Sequence, residues 1–285
     1  MRSRPQRHDA SEVKLGEVLR RAAEHLAKTS ETGRLDAELL LAHALGCSRI
    51  ELYIGFDRPL DELELAAYRG VVARRARHEP VAYILGEWGF RRLTLLVDAR
   101  ALIPRPETEI VVERCLARLR GLDEPAVLDV GTGSGAIALA LVDELAGAHV
   151  TAIDLSPDAL ELAKANAERL GLEVELLQHD LRRGLPGGPY DLVVSNPPYV
   201  EPEDLDSLSP DVREYEPHMA LVGAGATEAV ARAARDVLRA DGWLVLEVGD
   251  GEARKTVELL GGLGFADGAM TRDLAGRERV VEARR

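Results

Sequence analysis

The chain has 285 residues, 46% of them hydrophobic, which is enough to bury one sizeable core and carry a smaller second domain. A formal net charge of −13 argues against broad affinity for a phosphate backbone, and nowhere do about 18 apolar residues run together as a membrane span requires. Arg2, Arg4 and Arg7 have no apolar segment behind them, so no secretory signal is read and a cytoplasmic protein is expected.

From Glu12 to about Arg77, apolar residues recur at helical spacing (Leu35/Leu39/Leu40, Leu63/Ala66/Ala67), broken at Thr32-Gly33, Gly46 and Arg58-Pro59. The expectation is a small helical bundle over residues 1–80. Cys47 and Cys115 sit singly in apolar helical patterns, as buried small hydrophobes do, and no metal site is expected. Tyr83 to Val97 alternates apolar and aromatic residues and predicts a hairpin within a linker, residues 81–101.

A catalytic domain over residues 102–285 follows. Val127-Leu128-Asp129-Val130 reads as a buried strand that runs into Gly131-Thr132-Gly133-Ser134-Gly135 and an apolar helix, Ala136 to Leu145. A strand, a glycine turn and a helix N-terminus form a nucleotide-handling corner, but the spacing is not that of a phosphate loop. The second strand, Val150 to Ile153, ends in Asp154, whose carboxylate suits two ribose hydroxyls; the competing role is a helix N-cap, which Ser156 before Pro157 already fills. After a helix from Pro157 to Leu170 and a strand from Val174 to Gln178, Asp180-Leu181 falls where an adenine would lie.

The fourth strand delivers Asn196-Pro197-Pro198-Tyr199. Taken alone it could be a plain turn. In this context the prolines stiffen the loop and supply no N–H, so the Asn196 oxygen and the Pro197 carbonyl can accept both hydrogens of a planar NH2 group while Tyr199 covers its face. Phe265 to Thr271 and Glu278 to Glu282 are extended, and strand–helix alternation makes the domain α/β and doubly wound. The charge is uneven, net +2 over residues 1–95 and net −15 over residues 96–285, which suits a protein partner with a basic face better than naked DNA.

These motifs resemble the HemK/PrmC-type peptide-chain release factor glutamine methyltransferases. The resemblance rests also on residues 34–43, Pro80 to Gly86, Leu102 to Glu109 (with Arg105 between two prolines), Glu216-Pro217-His218 and Asp273 to Arg277. It implies a Rossmann-like class I methyltransferase sheet, mostly parallel with an antiparallel last strand, behind an N-terminal helical substrate-recognition domain. It implies S-adenosyl-L-methionine as cofactor, S-adenosyl-L-homocysteine as product, and methylation of the side-chain amide (N5) of the Gly-Gly-Gln glutamine in bacterial release factors. Gly131, Thr132, Gly133, Ser134, Gly135, Asp154, Asp180, Leu181 and Asn196 would then hold the cofactor; Asn196, Pro197, Pro198 and Tyr199 would hold the acceptor, with Asn196, Pro197 and Tyr199 catalytic. Leu181 stands where the family often has an aromatic, and residues 222–226 depart from its pattern. Arg105 either closes over cofactor or substrate or forms an interdomain salt bridge. Rival readings are methylation of adenine or cytosine amino groups in nucleic acid, methylation of a ribosomal-protein glutamine, and a cofactor-binding scaffold without catalysis.

Overall fold

The computed structural model describes residues 13–285, so Arg2, Arg4, Arg7 and Glu12 lie outside the described residues. The chain divides into two compact units, Met1–Leu85 and Gly86–Arg285. Among the described residues no helix is long and apolar enough to cross a membrane.

The first unit is helical: α1 (Leu15–Leu26), α2 (Gly33–Leu45), α3 (Arg49–Ile54), α4 (Glu62–Arg75) and α5 (Val81–Leu85). Leu15, Leu19, Ala22 and Leu26 make the buried stripe of α1. An Asp61/Glu64 capping box starts α4, and the buried Tyr68 hydroxyl on its inner face donates to the Ala37 carbonyl at 3.0 Å. Two acids of α2 are buried and ion-paired: Asp36 with Arg75 at 2.7 Å, and Glu38 with Arg34, Arg49 and the Tyr53 hydroxyl. Burial pushes the Glu38 carboxyl up, but its three partners together hold it below its usual range.

The second unit opens with a two-stranded antiparallel hairpin, β1 (Glu87–Phe90) and β2 (Leu93–Leu96). The alternation from Tyr83 therefore overreached: Tyr83 to Leu85 belong to α5, which starts after Pro80 and ends at Gly86, a residue with φ of +75°. There follow α6 (Pro106–Leu119), β3 (Ala126–Val130), α7 (Ala136–Glu144), β4 (His149–Asp154), α8 (Pro157–Leu170), β5 (Glu175–Gln178), β6 (Tyr190–Ser195), α9 (Pro210–Tyr215), α10 (His218–Leu221), α11 (Ala226–Val237), β7 (Leu238–Glu247), α12 (Ala253–Gly262), β8 (Ala266–Arg272) and β9 (Glu278–Arg284).

Seven strands form one sheet in the order β5-β4-β3-β6-β7-β9-β8. The pairs from β5 to β7 are parallel, and β9 is antiparallel to both β7 and β8. Parallel strands are covered on both faces, and the centre reads accordingly: Val127, Leu128, Leu192, Val193, Val194, Leu244, Val245 and Leu246 are fully buried. α6 and α7 pack into one core layer and α11 and α12 into the other. Because β4 and β6 leave β3 on opposite sides, the carboxyl ends of β3, β4 and β6 open a crevice where the strand order reverses, the standard ligand position of such sheets.

Candidate functional site

At that crevice lies a cavity of about 530 Å³, within the roughly 300–1,000 Å³ of small-molecule sites. Three segments build its wall. The loop from β3 to α7 adopts positive φ at Gly131 and Gly133 (76° and 56°), and the N–H groups of Gly131 and Thr132 donate to the Ile153 carbonyl at 2.8 and 3.0 Å. A Cβ on Gly131 would meet no atom within 4 Å, so the backbone there is left open to the cavity.

Asp154, at the end of β4, accepts from the Gly133 N–H through Oδ2 and from the Ser156 N–H through Oδ1, both at 2.9 Å. Ser156, not Asp154, caps α8 by accepting from the Ala159 N–H at 3.2 Å. Each oxygen of Asp154 keeps a further lone pair. Asp180, after β5, takes Arg182 through its main-chain N–H and its guanidinium, and these bonds pull its carboxyl down to about 2. Leu181 follows in a single 3₁₀ turn and lines the cavity.

The third segment is Asn196-Pro197-Pro198. Ser195 Oγ donates to the Val130 carbonyl at 2.7 Å and fixes the end of β6 against β3, so Asn196 leaves the sheet beside the glycine loop. Its Nδ2 donates to Thr108 Oγ1 at 3.4 Å, and Thr108 Oγ1 donates to Glu247 Oε2 at 2.6 Å. Glu247 is 2% exposed, and burial lifts its carboxyl to about 7.

The cavity thus gathers Arg105, Gly131, Thr132, Gly133, Ser134, Asp154, Asp180, Leu181, Asn196, Pro197 and Pro198. Two expected site residues lie outside its lining. The Cα of Gly135, φ +83°, faces Ala163 of α8, where a Cβ would come within 3.3 Å. Tyr199 packs over Gly249, because Val200 bridges to Val222 and turns the chain out of the cavity after Pro198. Tyr199 remains 39% exposed, and partial desolvation together with Glu247 pushes its hydroxyl above the usual tyrosine range. Arg105 pairs with Glu216, a buried carboxylate of the same unit, rather than with a residue of the helical unit.

Sequence reasoning missed Thr108 and Glu247. The signal for Thr108 was its place in the Leu102 to Glu109 segment; Glu247 carried only the oddity of an acid ending an apolar strand. His179 and His218 donate through Nε2 to the Gly184 and Arg213 carbonyls at 2.8 and 2.9 Å, structural bonds in both cases. Deeper under the glycine loop, Asp129 is fully buried, accepts from Thr132 Oγ1 at 2.7 Å, and has no partner for Oδ1. Desolvation raises it to about 7. Among the described residues no group of three or more His, Cys, Asp or Glu is placed to hold a metal ion.

A parallel sheet with an antiparallel strand inserted near one edge and a glycine loop at its switch point defines an S-adenosylmethionine-dependent class I methyltransferase. Residues 17–86 match the PrmC N-terminal domain and residues 108–209 the methyltransferase small domain. The release factor glutamine methyltransferase of Geobacter sulfurreducens is 44% identical over 261 residues, 90% of this chain and 91% of that protein. The one from Rhodopirellula baltica is 43% identical over 268 residues, 89% and 90% of the two chains. In fold alone, the T. thermophilus 16S rRNA methyltransferase RsmC, solved with AdoMet and guanosine, aligns with a TM-score of 0.53 at 20% identity over 70% of this chain and 49% of that one. The chain belongs to the release factor glutamine methyltransferase family.

Proposed function

We propose that this protein transfers a methyl group from S-adenosylmethionine to the side-chain amide nitrogen of the glutamine in the Gly-Gly-Gln motif of bacterial release factors. Beyond family membership, one observation carries the reading: Asn196 stands in the cavity wall with its amide nitrogen engaged by Thr108, which leaves Oδ1 as an acceptor beside a proline that has no N–H.

The residues present fit the cofactor. The cavity has room for it, the glycine loop offers open backbone, Asp154 retains lone pairs for a diol, and Asp180 and Leu181 lie where a base would rest. When bound, the cofactor supplies a methyl group made electrophilic by a sulfonium. Asn196 Oδ1 and the Pro197 carbonyl accept the two N–H bonds of the glutamine amide. That holds the nitrogen in one orientation and strengthens as positive charge develops on it, so the transition state gains more than the ground state. No general base is needed beforehand, since the methylated amide cation is itself a strong acid. The helical unit supplies remote contacts to the whole protein substrate, which a bare glutamine cannot offer.

The experiment is direct: incubate the protein with labelled S-adenosylmethionine and a bacterial release factor, then locate the methyl by mass spectrometry. Label on the Gly-Gly-Gln glutamine is expected. Label on RNA, on a ribosomal protein instead, or nowhere would overturn the reading.

A further inference from the structure

Thr108 and Glu247 meet far from each other in sequence and directly behind the residue proposed to hold the acceptor. Thr108 lies in the first turn of α6 and Glu247 ends β7, 139 residues later, yet their oxygens are 2.6 Å apart and both side chains are buried. A carboxylate in that position is costly unless it is hydrogen-bonded and paired, and Thr108, Arg279 and Arg105 are the groups that offset the cost.

Its effect follows from counting protons. An ionised carboxylate only accepts, so the single hydrogen of the Thr108 hydroxyl goes to Glu247 Oε2. Thr108 Oγ1 can then meet Asn196 only with a lone pair, and Asn196 must present its NH2 end at 3.4 Å. With the NH2 end turned back, the carbonyl end is the one left to accept. The opposite orientation would set Asn196 Oδ1 against the lone pair of Thr108 Oγ1, and the Asn196 NH2 against the NH2 of the acceptor amide. A neutral Glu247 could donate to Thr108 instead, freeing its hydrogen and removing the preference between the two orientations.

Resting on the glutamine reading above, we infer that Glu247, through Thr108, is a positioning residue that locks the Asn196 carboxamide with its oxygen toward the acceptor. The groups facing Glu247 come from every element packed on it: Arg105, Glu107 and Thr108 at the start of α6, Arg279 on β9 and Tyr199 after β6. Arg279 and Arg105 favour its charge while burial and Glu107 oppose it, which leaves its carboxyl titrating near neutrality, at about 7.

The test measures kcat and KM for the full chain with S-adenosylmethionine and intact release factor, from pH 6 to 8.5, for wild type, Glu247→Gln, Thr108→Val and Thr108→Ser. Thr108→Val removes the link at constant shape and should lower kcat by on the order of tenfold to a hundredfold, with little change in KM for the cofactor. Thr108→Ser, which restores the hydroxyl, should recover most of that loss. Wild-type kcat should climb with pH through a midpoint near 7, and in Glu247→Gln that midpoint should vanish. If Glu247→Gln fails to fold, the contrast between Thr108→Val and Thr108→Ser decides. Unchanged kcat in Thr108→Val, or equal losses in the Val and Ser variants, overturns the inference while leaving the glutamine reading intact. Absence of glutamine methylation by the wild type overturns both.

Discussion

The guanidinium of Arg105 holds the carboxylate of Glu216 from 111 residues away, and Glu216 in turn accepts from the Ile103 N–H at 3.3 Å. One buried acid therefore ties the segment entering α6 to the segment before α10, and both segments line the cavity. Burial raises Glu216's carboxyl, and Arg105 opposes that rise. Arg105→Ala leaves the charge buried and unpaired, so a loss of about 3 kcal/mol in urea unfolding is expected. Glu216→Gln, which still offers an oxygen to Ile103, should lose less than half as much.

Asp154→Ala removes the acceptor proposed for the ribose and also frees the Gly133 and Ser156 N–H groups. Cofactor binding should weaken by about 1.5–3 kcal/mol, the cost of losing hydrogen bonds to a charged group. Isothermal calorimetry checks this, and unchanged affinity would remove Asp154 from the site.

Two glycines of the same loop should respond differently to alanine. At Gly135, with φ of +83°, a Cβ would lie 3.1 Å from Leu139 Cδ1 and 3.3 Å from Ala163 Cβ. Strain and overpacking together should cost about 2–3 kcal/mol of stability, with cofactor affinity nearly unchanged in the folded fraction. Gly131→Ala meets no atom, so it should cost only about 1–2 kcal/mol of backbone strain but should weaken cofactor binding by placing a methyl in the cavity. Thermal unfolding and calorimetry on both variants separate the two effects.

Asp129 makes stability fall with pH. Its carboxyl is raised from an ordinary value near 3.8 to about 7 by burial, so the stability of its neutral form is full below pH 3.8 and is lost as pH rises through 7. The slope can reach about 1.4 kcal/mol per pH unit for one proton. Glu247 titrates in the same range, so the comparison must be between variants. Asp129→Asn minus wild type should become steadily more favourable to the mutant between pH 5 and 7, then level off. A difference that is flat with pH would show that Asp129 stays charged in the fold.

The helical unit displays Ile50 at 73% and Ile54 at 80% exposure on α3, beside the half-exposed Tyr53. If the unit recognises the release factor, the double substitution of Ile50 and Ile54 by Asp should raise KM for the intact factor about tenfold, the effect of one good interface anchor. Turnover of a short Gly-Gly-Gln peptide should not change. Equal effects on both substrates would assign the unit a purely structural part.

What the sequence revealed was what local chemistry encodes. The strand ending at Val130, the glycine turn, the helix from Pro157 to Leu170 and the acid ending β4 are each signalled within a few residues; the helix boundaries coincide with the observed ones and the strand boundaries differ by one position at most. The helix at Val81–Leu85 was misread because five residues hold too little periodicity to outweigh the alternation that follows. Long-range pairing was invisible. Nothing near Tyr199 announces that Val200 will bridge to Val222, and nothing near Asn196 names Thr108 or Glu247 as the groups behind it. Periodicity finds strands but does not order them: the resemblance implied an antiparallel last strand, and the place of β9 between β7 and β8 was not read from the sequence.

That place of β9 has a consequence for biosynthesis. β8 is made before β9 yet reaches the sheet only through it, so residues 243–247 of β7 keep an open rim until residues 280–284 emerge and pair with them. During that interval the nascent chain exposes the unpaired amides of Trp243-Leu244-Val245-Leu246, an apolar strand of the kind that recruits other chains. Any lesion that delays or removes β9 should therefore appear first as insoluble protein, well before it appears as an enzyme with a damaged cavity.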